Sequence, residues 1–151
     1  MKSIHLIVVG KNKDEALSKW EKDYLKRLKQ VSFNIHELKH FESKEKNDQQ
    51  VILKAKQLTG KQVPDIILLD ERGKTFTSEK FSSWLFEQLE NSTSICFVIG
   101  GAEGHGEEIK TIARNSIRLS DFTLPHRLAR TIIVEQIYRA ETLHLGHPYH
   151  K

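Results

Sequence analysis

Cysteine is nearly absent: the chain has a single one, Cys96, in 151 residues. An internal disulfide and any multi-cysteine metal site are therefore excluded, and a lone thiol inside the apolar run SICFVIG reads as buried and structural. Long hydrophobic runs are absent too. None approaches the roughly 20 residues of a helical membrane span. The opening MKSIHLIVVGKNKDE has an apolar stretch of only six residues that runs straight into charge, unlike a secretory signal. The expectation is a cytoplasmic protein. Repeats, low-complexity segments and internal linkers are also missing, so residues 1–151 read as one domain, too short for a separate RNA-binding module.

What is present is charge, unevenly placed. The formal net charge is +4, and residues 1–60 carry +5, residues 61–109 carry −5 and residues 110–151 carry +4. Two basic ends around an acidic middle point to a polyanionic partner met by the ends. A solvated, lysine-rich helix face explains the first 60 residues equally well.

The apolar pattern alternates between strand and helix. Short β-rich runs stand at 4–9, 33–37, 66–69, 95–99 and 116–120. Between them lie amphipathic stretches. The first, 13–29, places Leu17, Trp20, Tyr24 and Leu28 at helical spacing, and the second, 43–59, carries Val51, Ala55 and Leu58. A third is capped by Thr77 or Ser78 and carries Phe81, Leu85 and Leu89, and a short one spans 107–114. The last runs from about Arg127 to Leu145, with Ile132, Ile133, Ile137 and Ala140 on one face, Glu135 set to pair with Arg139, and Gly146 and Pro148 as stops. The fold class is α/β: a parallel sheet flanked by helices. Ligands of such sheets sit beyond the carboxyl ends of the strands, which directs attention to the loops 70–74, 100–106 and 120–126.

GGAEGHG at 100–106 holds four glycines directly after a strand, where backbone N–H groups can approach a ligand. It lacks the G-x-G-x-x-G spacing and the Gly-Lys-Ser/Thr ending, which disfavours a Rossmann-type oxidoreductase and a P-loop; a plain strand-to-helix turn stays open. LSDFTLPHR at 119–127 reads either as a binding loop or as a capping turn, with Pro125 opening the last helix. The tail HPYHK reads as a frayed end or as a functional group of imidazole, phenol and cation. A zinc site from His144, His147 and His150 is disfavoured because Pro148 interrupts the helix and no carboxylate or thiol is near in sequence.

Together LLDERGK (68–74), FVIGGAEG (97–104), LSDFTLPHRLAR (119–130), EQIYRA (135–140) and HPYHK resemble, in order and spacing, the ribosomal RNA large subunit methyltransferase H family of the SPOUT superfamily. The resemblance runs through 66–151 and extends more loosely to IHLIVVGK, while 39–63 carries no distinctive motif. It implies a SPOUT α/β fold with a deep C-terminal trefoil knot, a rare exception to unknotted topology. It also implies a homodimer that uses S-adenosyl-L-methionine, without metal, to methylate N3 of a pseudouridine in 23S rRNA of assembled 70S ribosomes.

Carried over by position, the cofactor would lie against Leu69, Gly100, Gly101, Leu119, Ser120, Asp121, Phe122, Thr123 and Leu124. His126, Arg130, Glu135 and Arg139 would stand near the knot and the dimer interface, and Tyr149, His150 and Lys151 near the substrate. In this assignment His150 is the base, Tyr149 stacks on or hydrogen-bonds the uracil ring, and Arg139 and Lys151 neutralise phosphate or the deprotonated base. Deprotonation by solvent or a carboxylate is the other assignment. A ribosome-associated factor without methyl transfer is the competing function from a different class.

Overall fold

The computed structural model describes residues 1–150. The elements follow in the order β1 (Lys2–Val9), α1 (Glu15–Arg27), β2 (Val31–Leu38), α2 (Lys44–Thr59), β3 (Ile66–Lys74), α3 (Ser78–Asn91), β4 (Ser94–Ile99), α4 (Glu107–Ile112), β5 (Asn115–Ile117) and α5 (His126–Leu145). The strands form one parallel sheet in the order β2-β1-β4-β3-β5. This is the expected α/β class, with β1 and β4 at its centre.

Side chains alternate across each strand, so each central strand feeds two cores. Ile4, Leu6, Val8, Ile95, Phe97 and Ile99 pack under α1, α3 and α5. Ile7, Val9, Cys96 and Val98 pack under α2 and α4. The fully apolar run 95–99 is thus buried on both faces, as parallel central strands are. Cys96 lies within it, and burial pushes its thiol up to about 12, leaving it protonated and inert.

Helix ends follow their local chemistry. Asp14, Ser43 and Thr77 each accept a backbone N–H of the first turn, and Gly60 and Gly146 close α2 and α5 in the left-handed conformation at φ of 70° and 72°. Glu135 pairs with Arg139 as its spacing requires.

Three expectations are corrected. Residues 70–74 are not a loop: β3 continues through them, and Lys74 pairs with Ile117 across a register shift. A Cβ at Gly73 would stand 2.5 Å from the backbone of Ile117, so glycine is required for that close approach. The last strand ends at Ile117 rather than at 120, with Arg118 still donating its N–H to the Lys74 carbonyl. Finally, Trp20 is 63% exposed, because the buried side of α1 is centred on Glu21, whose carboxylate takes Arg130 and Thr131 of α5. Ile132 on α5 is likewise only half-buried.

Candidate functional site

At the carboxyl ends of β3, β4 and β5 the chain encloses a cleft of about 590 Å³. Its wall is apolar where Leu69, Ile99, Leu119 and Leu124 meet, and its floor is the backbone of Gly100 and Gly101. The glycine loop is folded back on itself, Gly104 donating its N–H to the Gly101 carbonyl at 2.9 Å with Gly104 at φ +82°. Distant side chains hold this shape. The buried carboxylate of Asp48 on α2 accepts the N–H groups of Gly106 (3.0 Å) and Ile109 (3.1 Å), capping α4, which has no capping side chain of its own. A Cβ at Gly106 would lie 2.4 Å from that carboxylate.

Two histidines tie the cleft's loops together. His105 Nε2 donates to the Leu69 carbonyl at 2.9 Å, and His126 Nε2 donates to the Gly100 carbonyl. A carbonyl can only accept, so each ring carries its proton on Nε2. On the rim, His40 meets Glu103 at 2.9 Å and its ring lies over Gly101. Lys44, Arg72, Lys110 and Arg118 stand around the mouth with Asp70, Glu71 and Glu103. The sequence marks 70–74 and 100–106 as loops to inspect, but of the tethers it singles out only His126, because the partners of Asp48, His105 and His40 lie far away in the chain.

Of the residues expected at the cofactor, Leu69, Gly100, Gly101, Leu119, Ser120, Phe122 and Leu124 line the cleft. Ser120 Oγ accepts the Phe122 N–H at 2.9 Å, and Phe122 stands at the lip, 84% exposed. Asp121 turns outward to pair with Arg118 at 3.0 Å, and neither it nor the exposed Thr123 lines the cleft.

His150, Tyr149 and Arg139 come together elsewhere. Arg139 Nη1 donates to His150 Nδ1 at 2.9 Å, and His150 Nε2 donates to Glu79 Oε1 at 2.7 Å. His150 is thus a neutral imidazole with both nitrogens engaged. Its own backbone N–H and then His150 hold the Glu79 carboxyl below its ordinary range. Tyr149 Oη donates to Glu135 Oε1 at 3.1 Å and lies 3.3 Å from Tyr24 Oη, its ring edge-on to Tyr138 and beneath Arg139. Burial first, then Tyr24 and Glu135, pushes its phenol up, so Tyr149 is a hydrogen-bond donor rather than a base. Lys151 lies outside the described residues. His144 stacks flat on Phe86 at 3.9 Å and His147 Nδ1 accepts the Tyr149 N–H, so the tail histidines are engaged separately and do not converge.

The cluster is remote from the cleft. Ala129 lines the cleft and Arg139 stands ten residues further along α5, about 15 Å at the helical rise. Arg130, between them, is buried against Glu21 at 3.0 Å and also meets Glu37. The single chain therefore holds a pocket and a separate polar cluster.

A family model described as a predicted SPOUT methyltransferase matches residues 1–150. The chain belongs to that family. Ribosomal RNA large subunit methyltransferase H of Koribacter versatilis is 32% identical over 148 residues, covering 97% of both chains. Its namesake from Nitrosomonas eutropha is 32% identical over 152 residues, covering 98% of both, and that from Streptococcus pneumoniae is 34% identical over 157 residues, covering 98% of this chain and 99% of the relative. Within the SPOUT family, then, the chain is a member of the methyltransferase H group. SPOUT methyltransferases take the methyl group from S-adenosylmethionine.

The cleft fits that cofactor. Its volume is in the ordinary range for small-molecule sites, about 300–1,000 Å³. Apolar side chains stand ready to enclose a purine ring, and backbone groups of the glycine turn and of 119–124 can meet its polar edge.

Proposed function

We propose that the protein methylates N3 of a pseudouridine in 23S rRNA of the assembled 70S ribosome, as a homodimer whose reaction centre is shared between subunits. The observation that carries this reading is the separation along α5. The cleft lies beside the first turn of α5 and the Arg139–Tyr149–His150 cluster at its far end, so one protomer cannot bring them to the same atom. A two-fold axis across α5 with the helices antiparallel sets the cluster of one subunit against the cleft of the other, and makes two equivalent centres. The surface this requires is apolar: Trp20 of α1, 63% exposed, and Leu128 of α5, 41% exposed, stand on the outward side of the α1–α5 seam, with half-buried Ile132 next along α5. The trefoil knot belongs to the same reading, supported by residues of 119–124 lining the cleft beside Leu69, Ile99 and Gly100 and by the tether from His126 to Gly100.

S-adenosylmethionine, when bound, supplies a methyl group activated by its sulfonium. The protein's part is to align the nucleophile in line with that methyl and to take the N3 proton. In the single subunit the Nδ1 lone pair of His150 is occupied by Arg139. Substrate phosphate draws Arg139 away, Nδ1 becomes free to accept the N3 proton, and Glu79 on Nε2 holds the ring and stabilises the imidazolium that forms. Tyr149, protonated, donates to a uracil carbonyl. His126 and His105 keep the carbonyls of Gly100 and Leu69 in place and touch no proton of the reaction.

Labelled methyl transfer to 70S ribosomes, 50S subunits and naked 23S rRNA from cells lacking this gene tests the reading. Incorporation confined to 70S and mapped by mass spectrometry to one 3-methylpseudouridine is expected; incorporation at another base or into naked rRNA alone overturns it. The shared centre has its own test. A cleft variant, Leu124→Arg, and a tail variant, His150→Ala, each inactive alone, should regain activity when co-expressed, because a mixed dimer keeps one intact centre.

A further inference from the structure

Resting on the reading that the substrate is ribosomal RNA, we propose that the outer face of α1, with the loop leading into it, is the surface that grips the RNA phosphate backbone. Lys13, Lys19, Lys22 and Lys26 line an open groove of about 500 Å³ beside the carboxyl end of β1. Lys19, Lys22 and Lys26 are spaced three and four residues apart and so share one flank of the helix, turned away from Tyr24, Leu25 and Leu28, which pack on the core.

The acids of the same segment do little to neutralise that flank. Asp14 is held as the helix cap, accepting the Leu17 N–H at 3.1 Å. Glu21 is buried, 2% exposed, against Arg130. Asp23 pairs with Arg27 at 3.5 Å. Among the described residues Glu15 alone faces the groove without an ionic partner, and the four lysines have none either. The result is a concave strip of cations.

Position separates this strip from an ordinary solvated helix face. β1 lies next to β4 in the sheet, so the loop after β1, which opens the groove, is on the same end of the molecule as the glycine loop that follows β4. Charge is uneven along the chain, +5 over 1–60, −5 over 61–109 and +4 over 110–151, so α1 belongs to one of its two basic ends. A polyanion lying over the cleft passes the α1 groove on one side, and lysines are suited to phosphate as mobile point charges that position a strand without reading its sequence.

The test uses full-length protein and two probes, 70S ribosomes and labelled naked 23S rRNA. The triple variant Lys19→Ala/Lys22→Ala/Lys26→Ala is compared with Lys2→Ala/Lys54→Ala/Lys56→Ala, which removes the same charge from the start of β1 and from α2 on the other face of the sheet. Losing three phosphate contacts lowers the slope of log affinity against log salt by roughly 2–3 and weakens binding about ten- to thirtyfold at moderate salt. The control stays near wild type, S-adenosylmethionine binding is unchanged in both, and Lys→Arg at 19, 22 and 26 restores affinity. Equal RNA affinity and equal salt slope for the triple variant and wild type overturn the proposal, whatever the methyl assay shows. Lysine-dependent binding without methyl transfer by the wild type removes the proposed activity instead and leaves the surface standing.

Discussion

The cleft at the strand ends and the cluster at the end of α5 are built in opposite ways. The cleft is made of backbone and apolar wall, and its polar tethers, Asp48, His105 and His126, are taken up by hydrogen bonds to the loops they hold. The cluster is made of side chains that satisfy one another: Arg139 on Glu135 and His150, His150 on Glu79, Tyr149 on Glu135 and Tyr24. A site finished within one chain can be rigid, and this one is clamped by buried groups. A site whose groups are all paired among themselves must exchange partners to react. That difference is why the proposed reading puts the cofactor side in one chain and the chemistry at an interface between two.

The sharpest way to break the comparison is to remove the proposed base from the cluster and leave the cleft intact. His150→Ala should lower single-turnover methyl transfer by about 10²–10⁴-fold, the usual contribution of a positioned acid or base, with S-adenosylmethionine affinity unchanged by calorimetry. Unchanged single-turnover rates would remove His150 from the reaction and leave deprotonation to solvent or a carboxylate.

The opposite perturbation loosens the cleft and spares the cluster. Asp48→Ala leaves the N–H groups of Gly106 and Ile109 unpartnered in a buried place, at a cost of about 1–3 kcal/mol. Because those groups shape the glycine loop, the expected result is a cofactor affinity lower by about tenfold together with a lower melting temperature, while kcat at saturating cofactor changes little. Asp48→Asn, which keeps one accepting oxygen, should recover part of both. A loss of kcat with full cofactor affinity would mean that the two regions are not separable in this way.

Local pattern revealed most of the fold and half of the site. The five strands, the capping Thr77, the Gly146 stop and the Glu135–Arg139 pair all depend on neighbours within a few residues, and all are present, though β3 runs longer and β5 shorter than the pattern suggests. Glu21 defeats the same reasoning: a glutamate on a helix reads as solvent-facing, and only Arg130, 109 residues away, makes its burial favourable and turns Trp20 outward. Asp48 is hidden for the same reason, since nothing near it in sequence announces that it caps a helix 58 residues on. Family resemblance located the cleft loops and the tail, but not the 15 Å or so of helix between them, which emerges only when both are placed on α5.

A smaller effect separates the catalytic layer from the sheet edge beneath α2, where His5 Nδ1 and His36 Nε2 lie 3.1 Å apart. Such a contact needs one ring to donate and the other to accept, which favours neutral rings. Burial, then Lys54, lowers the pKa of His5; burial, then His5 and Lys54, lowers that of His36. Both folded values therefore lie below the ordinary 6.5. Above that pH the pair's contribution to stability is whole. As pH falls through 6.5 the unfolded chain takes up protons first, and stability declines until the folded values are reached, where the decline levels off. In wild type the melting temperature should drop by about 1–3 °C more between pH 7.5 and 5.5 than in His36→Gln, a modest shift for a chain of this size. The variant keeps a polar partner for His5 but removes one titrating ring. Parallel melting curves for the two proteins across that range would show that the pair does not couple to folding.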